Sequence, residues 1–212
     1  MEKINSMKGV LGYDSKVDEL YGKSQSELYD GKIFHIGLDY NSWMKKVGWF
    51  EGPILWTSNW IRDNISLGTE IADVACGNGQ IGLGLRNHDY IIDGYDLNPN
   101  MLERFEATNY RHLFEHDMME NPLPRKYECI TVIGAFNPSH LPVETLEMVR
   151  DSLTDDGKLV CTISDGDFFK GWQNAQQKWL NLDSYDYIPS ILIDGEQSHH
   201  FMCVFSRKND NV

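Results

Sequence analysis

The sequence predicts an α/β domain with a mostly parallel sheet, and three observations carry that prediction. From Thr69 onward, apolar runs of strand length alternate with helical patterns, the signature of βαβ units. A glycine-rich turn, Gly77-Asn78-Gly79-Gln80-Ile81-Gly82, stands where the first strand meets its helix. A length of 212 residues gives one substantial core and too little chain for two ordinary domains of different function, so one site is expected.

Residues 1–67 are rich in tyrosine and tryptophan and lack β-branched runs, so they read as a helical cap or lid belonging to the same domain as the core at 68–208. Val17, Leu20 and Tyr21 fall at helical spacing, and residues 38–50 and 54–61 carry apolar and aromatic positions that suit short amphipathic helices. Gly31, Gly48 and the Gly52-Pro53 pair supply the breaks. In the core, strands are expected near 71–75, 91–95, 110–115, 129–134 and 158–163, with helices near 80–86, 99–108 and 143–153. Asn98 is placed to cap the second helix, with Pro99 at its first position, where a missing N–H costs nothing. Residues 171–180 read as one more helix. The segments 185–193 and 200–206 flank a turn at Asp194-Gly195, too little chain for a crossover helix, so they should pair antiparallel.

Composition bounds the function. Hydrophobic residues are 41% and charged residues 24%, near the averages for soluble globular chains. Basic residues number 19 against 32 acidic, a formal charge of −13; such a chain repels a phosphate backbone, and no nucleic-acid partner is expected. Cys76, Cys129, Cys161 and Cys203 are scattered singly through apolar surroundings with no zinc spacing, so they read as core residues in a reducing compartment. The first ten residues contain no apolar stretch of signal-peptide or membrane-span length, which makes the cytoplasm the expected location, with no membrane partner.

The chemistry is expected at the glycine-rich turn. Glycines at 77 and 79 let the backbone turn sharply and approach a ligand. Asp96 ends the second strand, where a carboxylate can accept both hydroxyls of a ribose. Gly77, Gly79 and Gly82 also satisfy the dinucleotide fingerprint, so an NAD-dependent oxidoreductase is an alternative. Against it stand Asp73 inside the glycine-rich strand, where a nicotinamide-binding strand is usually apolar, Asp117 after the third strand, and the terminal hairpin.

On these residues the sequence resembles the class I S-adenosylmethionine (SAM)-dependent methyltransferases. The resemblance rests on DVACGNGQIG at 73–82, DGYDLNPNML at 93–102, HDMMENPLP at 116–124, YECITVIGAF at 127–136 and LTDDGKLVCTI at 153–163. Within the class it is most similar to the small Williams–Beuren-region and ubiquinone-methylase-like methyltransferases; Tyr13-Asp14 and Tyr21 resemble their entry motif, with Lys16-Val17 departing from it. The resemblance implies a Rossmann-like sheet of order 3-2-1-4-5-7-6, its last strand antiparallel. It also implies SAM held by Asp73, Ala75, Cys76, Gly77, Asn78, Gly79, Asp96, Leu97, Asp117, Met118 and Gly134. In that arrangement Asp73 lies near the methionine ammonium and Asp117 near the adenine amino group. Ala75 stands where many members have a glycine.

On the acceptor side, His140 follows the fourth strand at the carboxyl edge, where a histidine can take a proton from a substrate hydroxyl or amine. Tyr13, Tyr21, Trp43, Trp49, Asn137 and His140 are expected to wall the acceptor pocket, with ordinary packing the competing account of the aromatics. His199 and His200 are placed on a strand away from the site. The expected function is methyl transfer to a small-molecule acceptor by direct in-line displacement, in a monomer or homodimer and without a metal. A non-catalytic SAM-binding regulatory protein is the second alternative.

Overall fold

A computed structural model describes residues 44–103, 105, 107–136, 140–165, 172, 178–193 and 195–208. Tyr13, Tyr21, Trp43 and Asn137, most of the cap at 1–67 and most of the expected helix at 171–180 lie outside the described residues.

Alternating apolar runs give the expected strands. Among the described residues these are β1 (Glu70–Val74), β2 (Ile91–Asp96), β3 (Tyr110–Glu115), β4 (Tyr127–Phe136), β5 (Leu153–Ser164), β6 (Leu180–Ile193) and β7 (Glu196–Arg207). They form one sheet in the order 3-2-1-4-5-7-6. Strands 1 to 5 pair in parallel, and β7 runs antiparallel to both β5 and β6, as the short Asp194-Gly195 connection requires. The helices are α1 (Leu55–Asn64), α2 (Gln80–Leu85), α3 (Pro99–Glu103) and α4 (Leu146–Ser152), the last entered through a 3₁₀ turn at Val143–Thr145.

The pleat sorts the strand residues into two cores. Ile71, Cys129 and Val160 face α1 and α2, where Ile61, Ile81 and Leu85 complete one cluster. Ala72, Val74, Ile130, Val132, Leu159 and Cys161 face the other way, onto Leu146 and Val149 of α4. All four cysteines are buried free thiols, Cys129, Cys161 and Cys203 within these two cores. At the β3 side of the sheet the buried Asp93 carboxylate, 1% exposed, accepts from Arg111 Nε and Nη2 at 3.0 and 2.6 Å, Arg125 Nη2 at 2.9 Å and the Tyr127 hydroxyl at 2.7 Å. Both arginines also reach Glu70, so the cluster clasps β1, β2, β3 and β4 and pairs the buried Asp93 charge.

Three expectations are corrected. Gly52-Pro53 is not a break: both residues lie inside a π-helical turn, Phe50–Ile54, that runs directly into α1. Pro53 is tolerated there because it sits ahead of α1, and Gly52 because a Cβ would lie 2.5 Å from the Pro189 carbonyl oxygen. The helix expected over 99–108 ends at Glu103, and the Phe105 ring instead packs edge-on against Tyr110 with centroids 4.5 Å apart. Strand β5 begins at Leu153, where the helix expected over 143–153 was to end, because Leu153 pairs with Tyr127 at the start of β4.

Candidate cofactor and acceptor site

The parallel strands end on a common edge, and the connections leaving β1, β2 and β4 open a cleft there, as the doubly wound topology dictates. The turn after β1 places Ala75, Gly77 and Gly79 at φ of +54°, +54° and +89°, conformations that glycine adopts freely and alanine does not. The third glycine has a packing role: a Cβ at Gly82 would lie 2.0 Å from the Tyr110 ring. Tyr110 uses that space to accept from the Gly82 amide at 3.1 Å and to donate to Asp73 at 2.5 Å.

Asp73 is 2% exposed yet lines the cleft. Burial pushes its carboxyl up to about 6, against the lowering effect of hydrogen bonds from Tyr110 and from Thr131 at 2.7 Å, with Asp96 adding a smaller upward push. Asp96 accepts the Gly77 amide on one oxygen and the Asn98 amide on the other, each at 2.8 Å; burial raises its carboxyl too. The buried Asn78 Oδ1 has no protein partner among the described residues and belongs to a residue lining the same cleft. Two desolvated acids and an orphaned acceptor beside an open glycine turn fit a ligand carrying a cation and hydroxyl donors. Asp117 also lines the cleft and steadies its own loop by accepting the Met119 amide at 2.8 Å.

Of the residues singled out from sequence, Asp73, Ala75, Cys76, Gly77, Asn78, Asp96, Leu97, Asp117, Met118, Gly134, Trp49 and His140 all line this cleft. Gly79 does not. It caps α2 in the left-handed conformation, and a Cβ there would meet Phe105 at 2.6 Å. Gly134 lies in a bulge of β4 at φ +84°, and a Cβ there would approach the Trp49 ring at 3.0 Å. Burial holds the His140 imidazole below the usual histidine range.

One placement is corrected: His200 is not away from the site but lines the cleft. Antiparallel β7 enters the sheet at the carboxyl edge and sets His200 opposite Ser164, the last residue of β5. His199 faces the other way and stacks on Tyr187 with centroids 4.9 Å apart. Sequence reasoning also missed Tyr110, Met101, His116 and Ile191; the first announces itself only through the glycine opposite it.

The sheet order is that of the class I methyltransferase fold, and the acid-lined glycine cleft lies at its carboxyl edge. Residues 72–161 match the methyltransferase domain family, which makes SAM the cofactor. Among solved structures, the chain is similar to a TehB-like SAM-dependent methyltransferase from Corynebacterium glutamicum, with a TM-score of 0.57 at 19% identity over 71% of this chain and 86% of that one. It is likewise similar to the N-methyltransferase NodS from Bradyrhizobium japonicum in complex with S-adenosyl-L-homocysteine, with a TM-score of 0.57 at 8% identity over 73% and 86%. Among curated proteins, it is 27% identical over 139 residues to the tRNA U34 carboxymethyltransferases of Aeromonas hydrophila and Aeromonas salmonicida, covering 53% of this chain and 42% of each relative. The chain thus spans less than half the length of those relatives. They overturn the expectation, drawn from net charge, that nucleic acid is excluded as a partner: total charge is a sum over the surface and does not fix the local field at one face. Among the described residues, no helix is long and apolar enough to cross a membrane.

Proposed function

We propose that the protein transfers a methyl group from SAM to a small organic acceptor group by direct in-line displacement. The observation carrying this is the desolvated pair Asp73 and Asp96 flanking a glycine turn at the carboxyl edge. Bound at this cleft, SAM supplies a methyl carbon already activated by the positive sulfur, so alignment and exclusion of water do most of the work. Asp96 would accept from the ribose hydroxyls, Asp73 and Asn78 Oδ1 would receive the ammonium, and Asp117 would accept from the adenine amino group. Trp49, Gly134 and His140 form the acceptor wall. Within the class, the sequence motifs favour the small Williams–Beuren-region and ubiquinone-methylase-like relatives.

A tRNA nucleoside is the second reading for the acceptor, favoured by the curated relatives. Both readings are tested by incubating the protein with methyl-labelled SAM and either a dialysable metabolite extract or total tRNA. Label in the first pool identifies a free acceptor and label in the second an RNA acceptor, each with one S-adenosylhomocysteine formed per methyl. Binding of NAD in place of SAM would overturn the proposal, and SAM binding without turnover in either pool would favour a regulatory SAM-binding protein.

A further inference from the structure

We propose that His200 is the proton acceptor of the acceptor site, its tautomer set by a serine relay built into a bulge of the β6–β7 hairpin; this rests on the methyltransferase reading above. The register of β6 against β7 shifts between Pro189 and Ile191, leaving Ser190 as the extra residue. Pro189 has no N–H to give a ladder, and bulges of this kind re-aim side chains beside active sites. Here the bulge buries Ser190, 2% exposed, with its hydroxyl 2.7 Å from His200 Nδ1.

The polarity of the relay follows from counting protons. The Ile191 carbonyl accepts from Gln197 Nε2 at 3.1 Å and, on its second lone pair, from the Ser198 hydroxyl at 3.2 Å, a contact that uses the single proton of Ser198. Ser198 Oγ therefore accepts from Ser190, at 3.1 Å. The one proton of Ser190 is then committed, so its oxygen accepts from His200 Nδ1–H. A neutral imidazole carries one N–H, which makes Nε2 the basic atom of the ring. Trp49 meets that ring edge-on, with centroids 5.3 Å apart and planes at 85°, and Trp49 and His200 line the cleft together. The segment carrying Trp49 is fastened to the same hairpin by the Leu192 amide, which donates to the Val47 carbonyl at 2.8 Å. The relay thus orients the ring and assigns it the Nδ1–H tautomer.

In the reaction, the acceptor lone pair forms the new bond to the methyl carbon while the methyl–sulfur pair stays on sulfur. The proton lost by the acceptor O–H or N–H goes to His200 Nε2. Ser190 touches no reactant and is a positioning residue; His200 is the catalytic one.

Two measurements test this. Nitrogen NMR of histidine-labelled protein with S-adenosylhomocysteine bound should show His200 with a protonated Nδ1 and an unprotonated Nε2, and Ser190→Ala should shift the ring toward the other tautomer. With methyl-labelled SAM and whichever of the metabolite extract or total tRNA takes label, His200→Gln should slow transfer by about a hundredfold, as loss of a general base does. Ser190→Ala should slow it by about tenfold or less. Both variants should bind S-adenosylhomocysteine within about twofold of the parent by calorimetry, since neither residue is assigned a cofactor contact. An Nε2–H tautomer in the parent, or a His200→Gln variant that transfers at the parental rate, overturns the assignment. Failure of the parent to bind S-adenosylhomocysteine overturns the methyltransferase reading instead. If neither pool takes label, the NMR result alone decides for or against His200.

Discussion

Asp73 carries its carboxyl into a nearly dry site, and the consequence is a cofactor affinity that depends on pH. Burial raises the carboxyl to about 6 in the free protein, while a cationic ligand favours the ionised form and lowers it in the complex. Binding is therefore strongest above pH 6 and is lost as pH falls through that value, by up to about tenfold per unit. Calorimetry with S-adenosylhomocysteine should show affinity about tenfold weaker at about pH 5 than at about pH 7.5, and Asp73→Asn should flatten that dependence; a steep dependence surviving in the variant would place the titrating group elsewhere. Asp96 already accepts two backbone amides, and if it also holds the two ribose hydroxyls as proposed, replacement by alanine should weaken SAM binding by more than about tenfold. Ala75 offers the opposite effect. Its φ of +54° costs an alanine roughly 1 kcal/mol that glycine does not incur, so Ala75→Gly should raise the melting temperature by about 2 to 4 °C. An unchanged or lower melting temperature would mean that the turn is not held as described.

The α2–β3 contact shows how an element can depend on one absent methyl group. Gly82 lies so close to Tyr110 that an alanine Cβ would sit 2.0 Å from the ring, and overpacking of this kind typically costs about 1 to 3 kcal/mol. Because the same tyrosine donates to Asp73, Gly82→Ala should lower the urea midpoint and weaken S-adenosylhomocysteine binding together, whereas Tyr110→Phe should chiefly affect binding. If Gly82→Ala leaves both unchanged, the ring is not wedged there. This contact also marks where sequence reading stops. The strand runs, the glycine turn, the acids at strand ends and the antiparallel hairpin follow from local periodicity, turn chemistry and connection length, all properties of neighbouring residues. Tyr110, 28 residues from Gly82, enters the site through packing that no local pattern encodes. His200 was misplaced for a similar reason: periodicity identifies a strand but not which end of the sheet its residues reach. Helix α3 ends early because Phe105 is drawn onto Tyr110, a tertiary contact overriding the helical pattern.

At the scale of the whole molecule, the cleft draws its walls from nearly the full described chain, from Met44 and Trp49 through the turns after β1, β2 and β4 to Ile191 and His200 in the final hairpin. Separating any one of these dismantles the site, so a ligand bound there should hold the domain against global unfolding rather than against local opening alone. A ligand that binds only the folded state adds about 2.7 kcal/mol at a free concentration of one hundred dissociation constants. For a domain of this size each kcal/mol moves the midpoint by about 2 to 4 °C, so S-adenosylhomocysteine at that concentration should raise the melting temperature by about 5 to 10 °C. NAD should leave it unchanged, because Asp73 presents a carboxylate where a nicotinamide-binding strand is apolar. The same shift should appear in near-ultraviolet dichroism, which follows tertiary packing, and in far-ultraviolet dichroism, which follows the sheet, since both are lost in one cooperative transition. A shift with NAD and none with S-adenosylhomocysteine would remove the methyltransferase reading. A shift confined to the near-ultraviolet signal would show that the ligand orders the rim of the cleft without being coupled to the sheet beneath it.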